Sequence, residues 1–322
     1  MLVVPSVLDA ANQRYDYVFV STKVIPEILP TEKILAPILS KSYTEKYGQP
    51  VYVLLQNGIG IEKGLAIAVE NVAGQVAEDP ESTQVFDDKK PRIVSACLYY
   101  LGNLIKPDVV EYVEGHKITI GVYRSGAFTT TQNSPQEAEV LDDVKNLLEP
   151  GGASVEVVSE IQRHRLKKNM LNLSFAAIAT LSNQTTPSIF RPPPNPSSEY
   201  YEPYVHPMTA HLIEEYTVPN IAAVLTEAVS ALPARALDIP DTEDGLPLDT
   251  VPKFIELARV LHVDPKNNHA SSMLLDMRKG RPMEVEVILG EVVRLAKRVA
   301  VDVPVSLSID CDQVSADYFA ED

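Results

Sequence analysis

The chain has 322 residues, 45% of them hydrophobic, which is enough for two domains with their own cores. A formal net charge of −16 and a pI near 4.8 exclude nucleic acid or an anionic membrane as the main partner, since both require clustered Lys and Arg. Its two cysteines, Cys97 and Cys311, lie far apart and give neither a metal spacing nor a disulfide framework, which suits a reducing, cytoplasmic setting. No stretch approaches the roughly 18 apolar residues of a membrane span.

In chain order, Tyr15 to Thr22 reads as a buried strand of aromatic and β-branched residues. Residues 24–43 carry apolar positions at helical spacing, interrupted by Pro26, Pro30 and Pro37, and predict one or two short helices. Val51 to Leu55 is a second buried strand, followed by the turn Gln56-Asn57-Gly58-Ile59-Gly60. Ile61 to Asn71 is an amphipathic helix, with Glu62 where a carboxylate suits the helix dipole. Glu78 to Lys90 is a polar loop. Three strands are expected at Arg92–Tyr100, Val109–Val113 and Lys117–Tyr123, then a helix at Pro135–Leu148 and a strand at Ser154–Val158. Strands alternating with helices predict an α/β layer with a mainly parallel sheet.

From Glu160 the pattern becomes almost wholly helical, with helices expected over Glu160–Leu181, Ile221–Leu232, Thr250–Leu261 and Glu284–Ala300. The proline-rich run from Arg191 to Tyr204 predicts an exposed, partly extended loop, and Asp238–Leu248 a second loop. An α/β part is therefore followed by an all-α part, with a boundary near residue 158.

Four places carry candidate chemistry. The turn at Asn57 lies where a strand ends and a helix begins, the position at which open α/β sheets hold ligands; its carboxamide offers donors and an acceptor, and Asn-Gly equally makes an ordinary turn. Gly58, Gly60 and Gly64 miss the dinucleotide fingerprint by one residue. Lys168 and Asn172 are four apart and share a helical face beside Leu171 and Phe175, a setting that suits a lysine proton donor. Arg163, Arg165, Lys167 and Lys168 also read as a plain solvated face. Ser272 lies at a helix start, where a capping hydroxyl is ordinary. Gly280 reads as the stop of that helix and Pro282 as the first turn of the next. Glu284 would then be a helix-start acid. His206 and His211 are five apart and the other histidines are scattered, so no metal site is expected.

Taken in this order, the elements resemble the ketopantoate reductase family, over roughly residues 8 to 304 and in the manner of its fungal-type members with a proline-rich insertion. Asp16 to Lys23 is similar to the family's strand ending in a cofactor-side lysine. Gln56-Asn57-Gly58-Ile59-Gly60 resembles its NGxG turn, Lys168…Asn172 its K-x-x-x-N helix, and Ser272-Met-Leu-Leu-Asp276 with Glu284 its S-M-L-x-D…E pair. The resemblance implies an incomplete Rossmann-like domain over residues 1–158, a helical substrate and dimerisation domain of the 6-phosphogluconate-dehydrogenase-like type over 159–304, and an acidic tail over 305–322. It implies an NADPH-dependent oxidoreductase of pantothenate biosynthesis that reduces 2-dehydropantoate or a related 2-oxo acid, acting as a homodimer. It further implies Lys168 as proton donor with Glu284 supporting it, Asn57, Asn172 and Ser272 binding substrate, and Lys23 and Asn57 facing the cofactor.

The sequence departs from that pattern in three ways. Ala176 stands where the family places a second asparagine, which points to an altered substrate contact. After Pro304 the sequence reads as divergent. No G-x-G-x-x-G turn precedes Asp16, so impaired cofactor binding is expected, with an unpaired edge on the first strand. A non-catalytic scaffold that dimerises through its helices is the alternative reading.

Overall fold

The computed structural model describes residues 3–78, 91–106, 108–130, 132–197, 199–230, 237, 246–267, 269–306 and 308–310. All but the first residue of the polar loop expected at Glu78–Lys90, most of the loop at 238–248 and the tail from 311 onward lie outside the described residues. By its internal contacts the chain divides into two units, Met1–Tyr99 with His116–Arg165, and Tyr100–Gly115 with Leu166–Asp322.

The first unit is built on a sheet of order β1-β2-β3-β4-β5. Strand β1 (Tyr17–Val20) pairs in parallel with β2 (Val51–Leu54), Tyr17 opposite Val51 and Val20 opposite Leu54. All four β2 residues have no exposed surface, which is what a parallel strand covered on both faces requires. β2 pairs in parallel with the start of β3 (Ile93–Lys106), and β5 (Ser154–Val157) in parallel with β4 (Val109–Val122). Between them β3 and β4 are neighbours joined by only two residues, which a parallel pair cannot manage; Tyr123 N–H donates to the Ile93 carbonyl at 3.0 Å at the base of this hairpin. The two strands expected at 109–113 and 117–123 are thus a single one. β1 has a pairing partner on one side only among the described residues, and Phe19 is 38% exposed there.

Helices cover this sheet for local reasons. α1 is a single turn, Val7–Ala10; α2 is Thr31–Ile34 and α3 Lys41–Tyr47, the short helices that three prolines permit. In α4 (Glu62–Ala77), Leu65, Val69, Val72 and Val76 recur at steps of three and four and are buried. It runs six residues beyond the expected end at Asn71. α5 (Pro135–Leu148) has the expected bounds, because Ser134 and Glu137 form a capping box and Pro135 opens the first turn. Its Val140, Leu141 and Val144 pack on Val51, Val53, Val94, Ala96, Ile120 and Val122, each such side chain stabilising by about 1.5–3 kcal/mol.

The second unit is helical. α6 (Gln162–Leu171), which enters this unit at Leu166, continues through a π segment, Asn172–Ala176, into α7 (Ala177–Ser182). After the turn α8 (Pro187–Phe190) come α9 (Ala210–Leu212), a π segment Ile213–Thr217 and α10 (Val218–Val229). Then follow α11 (Thr250–Val263), α12 (Ser272–Arg278), a π segment Glu286–Gly290 and α13 (Glu291–Arg298). Leu173, Ile221, Val224, Leu225 and Val292 are fully buried in it. The proline-rich run is non-helical as expected, but it does not lie wholly on the surface. Arg191 is completely buried and donates to the carbonyls of Pro203, Asp264 and Asn267. No helix among the described residues is long and apolar enough to cross a membrane.

Candidate active site

In the first unit, the register that sets Val20 beside Leu54 brings two parallel strand ends together, and the candidate residues follow both. Lys23 is exposed and Asn57 half-buried. Gln56 is 4% exposed; its amide donates to the Thr22 carbonyl at 3.0 Å and hydroxyl at 3.1 Å, and lies 3.2 Å from the Thr31 hydroxyl. The loop after β1 and the start of α2 are thereby tied to the turn. Gly58 and Gly60 have φ of 87° and 71°, conformations that side chains rarely tolerate, which is why the turn needs both glycines.

Beneath the turn lies a group that sequence reading placed on a solvated face. Arg165 is 3% exposed, and its guanidinium donates to the carbonyls of Gly58 at 2.6 Å, Gln56 at 3.2 Å and Ala96 at 3.2 Å. Its Nε lies 3.1 Å from Glu62 Oε1, though the N–H is not aimed at that oxygen, so the contact is an ion pair without a hydrogen bond. Glu62, fully buried, also accepts from Ser95 at 2.6 Å and Gln162 at 3.0 Å. Its role is therefore to hold Arg165 as well as to suit the helix dipole. Tyr123, half-buried nearby, has its hydroxyl pKa raised to about 12 by burial first and then by the Glu62 charge. A signal for Arg165 was present: Ile161, Arg165, Asn169 and Leu173 fall at steps of four, and the apolar members mark the buried side of the helix.

In the second unit, four candidate residues sit on elements that pack together. Lys168 is in the last turn of α6, half-buried, and Asn172 follows it at the same exposure. The π segment begins only at Asn172, so the four-residue step between them runs along one helical face. α12, which opens with Ser272, packs on α7 and on that π segment. Ser272 is exposed and is not the cap; Ser271 accepts from Leu274 N–H at 3.3 Å, which leaves the Ser272 hydroxyl outside the capping bond. Gly280 ends the helix with φ of 57°. Helical backbone resumes at Val285, so Pro282 lies before the first turn and Glu284 directly precedes it, only 6% exposed. The π segment after Glu284 packs against the one after Leu171. Both are single π turns, a feature frequent at functional sites. Lys168, Asn57, Lys23 and Glu284 all have interaction partners. Ala176 is buried within its π segment. Among the described residues no group of three or more His, Cys, Asp or Glu is arranged to hold a metal.

Past Pro304, Val305 and Ser306 N–H groups donate to the Glu227 carboxylate at 2.9 and 2.8 Å, and the Ser306 hydroxyl at 2.7 Å. The segment read as divergent is thus anchored to α10 at its start.

Comparison with known proteins bears on these elements. The family described as "Ketopantoate reductase PanE/ApbA C terminal" matches residues 205–309, which runs past Pro304. A 2-dehydropantoate 2-reductase of Nostoc sp. is 20% identical over 296 residues, covering 92% of this chain and 72% of that protein. The crystal structure of 2-dehydropantoate 2-reductase from Methylococcus capsulatus superposes with a TM-score of 0.66 at 20% identity, covering 99% of this chain and 79% of that one. A D-mandelate dehydrogenase in complex with NADH superposes with a TM-score of 0.63 at 17% identity, covering 95% and 80%.

Proposed function

We propose that this chain, whose residues 205–309 match the C-terminal ketopantoate reductase family and whose fold is similar to that of a 2-dehydropantoate 2-reductase, reduces a 2-oxo acid, 2-dehydropantoate or a relative of it, with NADPH. The observation that carries this reading is the packing of α12 on α7 and on the π segment Asn172–Ala176, and of that segment on Glu286–Gly290, which gathers Asn172 and Ser272 with the elements adjoining Lys168 and Glu284 within one unit. The residues after β1 and β2 fit the nicotinamide end of a dinucleotide. Lys23 supplies a cation and Asn57 a carboxamide at the carboxyl ends of two adjacent parallel strands, where such cofactors sit. Held there by Lys23 and Asn57, a nicotinamide cofactor would supply hydride chemistry toward a 2-oxo acid carbonyl.

The chain's own groups do the rest. As charge develops on the carbonyl oxygen, the Lys168 ammonium stabilises it and donates a proton. Asn172 and Ser272 hold the carboxylate and hydroxyl by hydrogen bonds. Glu284, shielded from water, orients the ammonium electrostatically, an effect that is stronger at low dielectric. The turn that presents Asn57 is kept rigid by Gln56 and Arg165.

Fluorescence titration of the full chain with NADPH, with NADH in parallel, is the first test. Detectable but weakened NADPH binding is expected, followed by 2-oxo acid reduction that Lys168→Ala lowers by about 1,000-fold in kcat. A folded chain that neither binds NADPH nor reduces 2-oxo acids would overturn the reading.

A further inference from the structure

One buried side chain next to Lys168 has no part in the chemistry above. Asn169 is 2% exposed, and its Nδ2 donates to the Ile288 carbonyl at 2.9 Å. Ile288 lies in the π segment Glu286–Gly290, and its own N–H donates to the Glu284 carbonyl at 3.2 Å. A single peptide residue therefore connects the residue after Lys168 with the backbone of Glu284. The bond falls on a π turn, where the regular ladder of helical hydrogen bonds is interrupted.

The arrangement is not what stability alone would select. Asn169 Oδ1 is buried and meets no donor among the described residues, a standing penalty that a leucine of similar size would avoid. The amide is accounted for by the bond that it makes. We propose that Asn169 is a positioning residue. By pinning Ile288 it fixes the rotation of the helix that begins beyond Glu284, and with it the orientation of the Glu284 carboxylate toward the Lys168 ammonium. This rests on the reading of Lys168 as proton donor and of Glu284 as its support.

The test uses the full chain with Asn169→Leu, Asn169→Gln, Glu284→Gln and the Asn169→Leu/Glu284→Gln double variant. Two measurements are made: kcat and KM for 2-dehydropantoate with NADPH as a function of pH, and a 13C NMR titration of reductively methylated lysines. Loss of a resonance in Lys168→Arg identifies the Lys168 signal. Asn169→Leu is expected to lower kcat about tenfold, since small misplacements are costly, with KM within about twofold. It also moves the pH midpoints of kcat and of the Lys168 signal. Asn169→Gln, which keeps the donor, restores part of both, and in the Glu284→Gln background Asn169→Leu adds little. If Asn169→Leu does not fold, Asn169→Ser, too short to reach Ile288, gives the same comparison. A Lys168 titration that overlays the parent's, or an undiminished effect without Glu284, overturns the proposal. A parent chain without turnover whose Lys168 signal still moves in Asn169→Leu supports the positioning and sinks the reductase reading instead.

Discussion

Lowering the pH should loosen the helical unit through one histidine. His262, in α11, is 9% exposed and its Nδ1 has no partner among the described residues. The titratable groups facing it are His269, itself half-buried, and Arg191, whose guanidinium is fixed on the carbonyls of Asp264 and Asn267. A proton added to His262 would find no acceptor and would face a buried cation. Burial first, then His269 and Arg191, hold its pKa at about 4, against 6.5 for an ordinary histidine. In the pH window between those values the unfolded chain takes up a proton and the folded chain does not. The stability is therefore complete above 6.5, falls as the pH drops toward 4, and is lost below it. At 1.36 kcal/mol per pH unit the loss is about 2 kcal/mol at pH 5 and about 3 kcal/mol below pH 4. Urea unfolding of the full chain at pH 7.5 and pH 5, alongside His262→Leu, measures it. The parent should lose about 2 kcal/mol more than the variant between the two conditions. His269, whose pKa burial also lowers, is present in both, so the difference reports His262 together with its coupling to His269. Equal losses would show that the proton finds a partner in the folded chain and would refute the reasoning.

Other expectations follow from single contacts. Arg165→Met leaves the Glu62 carboxylate uncompensated in the interior and should cost about 3–5 kcal/mol in chemical unfolding; adding Glu62→Gln should recover a good part, and strict additivity would count against the pair. Gly121→Ala puts a Cβ 2.9 Å from Ile161 Cβ and 3.0 Å from the Val158 carbonyl, so a loss of about 1–3 kcal/mol is expected in thermal unfolding, and an unchanged melt would mean that this strand yields freely. Leu225→Ala, at a fully buried position of α10, should cost about 2–5 kcal/mol by the same assay. A value near zero there would mean that the helical unit collapses onto the cavity.

Much of the fold was legible because its signals are local. The bounds of α5 follow from Ser134, Pro135 and Glu137, and β1 and β2 from runs of aromatic and β-branched residues. Glu114-Gly115-His116 reads as a break, yet pairing with β3 carries β4 through it, since hydrogen bonds across a ladder do not depend on side-chain polarity. Short motifs singled out Lys23, Asn57, Lys168, Asn172, Ser272 and Glu284.

What the motifs could not say is what holds those residues. Arg165 and Arg191 read as surface charge, and both are interior clamps on backbone carbonyls. The cap of α12 is Ser271 and not Ser272, a choice between adjacent hydroxyls that only backbone geometry makes. The two π segments and the Asn169–Ile288 bond join residues 119 positions apart. The sequence by itself determined the elements, their order and the candidate side chains, because propensity, capping and spacing act over a few residues. The tertiary structure alone decided which polar groups lie inside and which carbonyls they satisfy, because a buried donor is fixed by acceptors that distant segments bring to it.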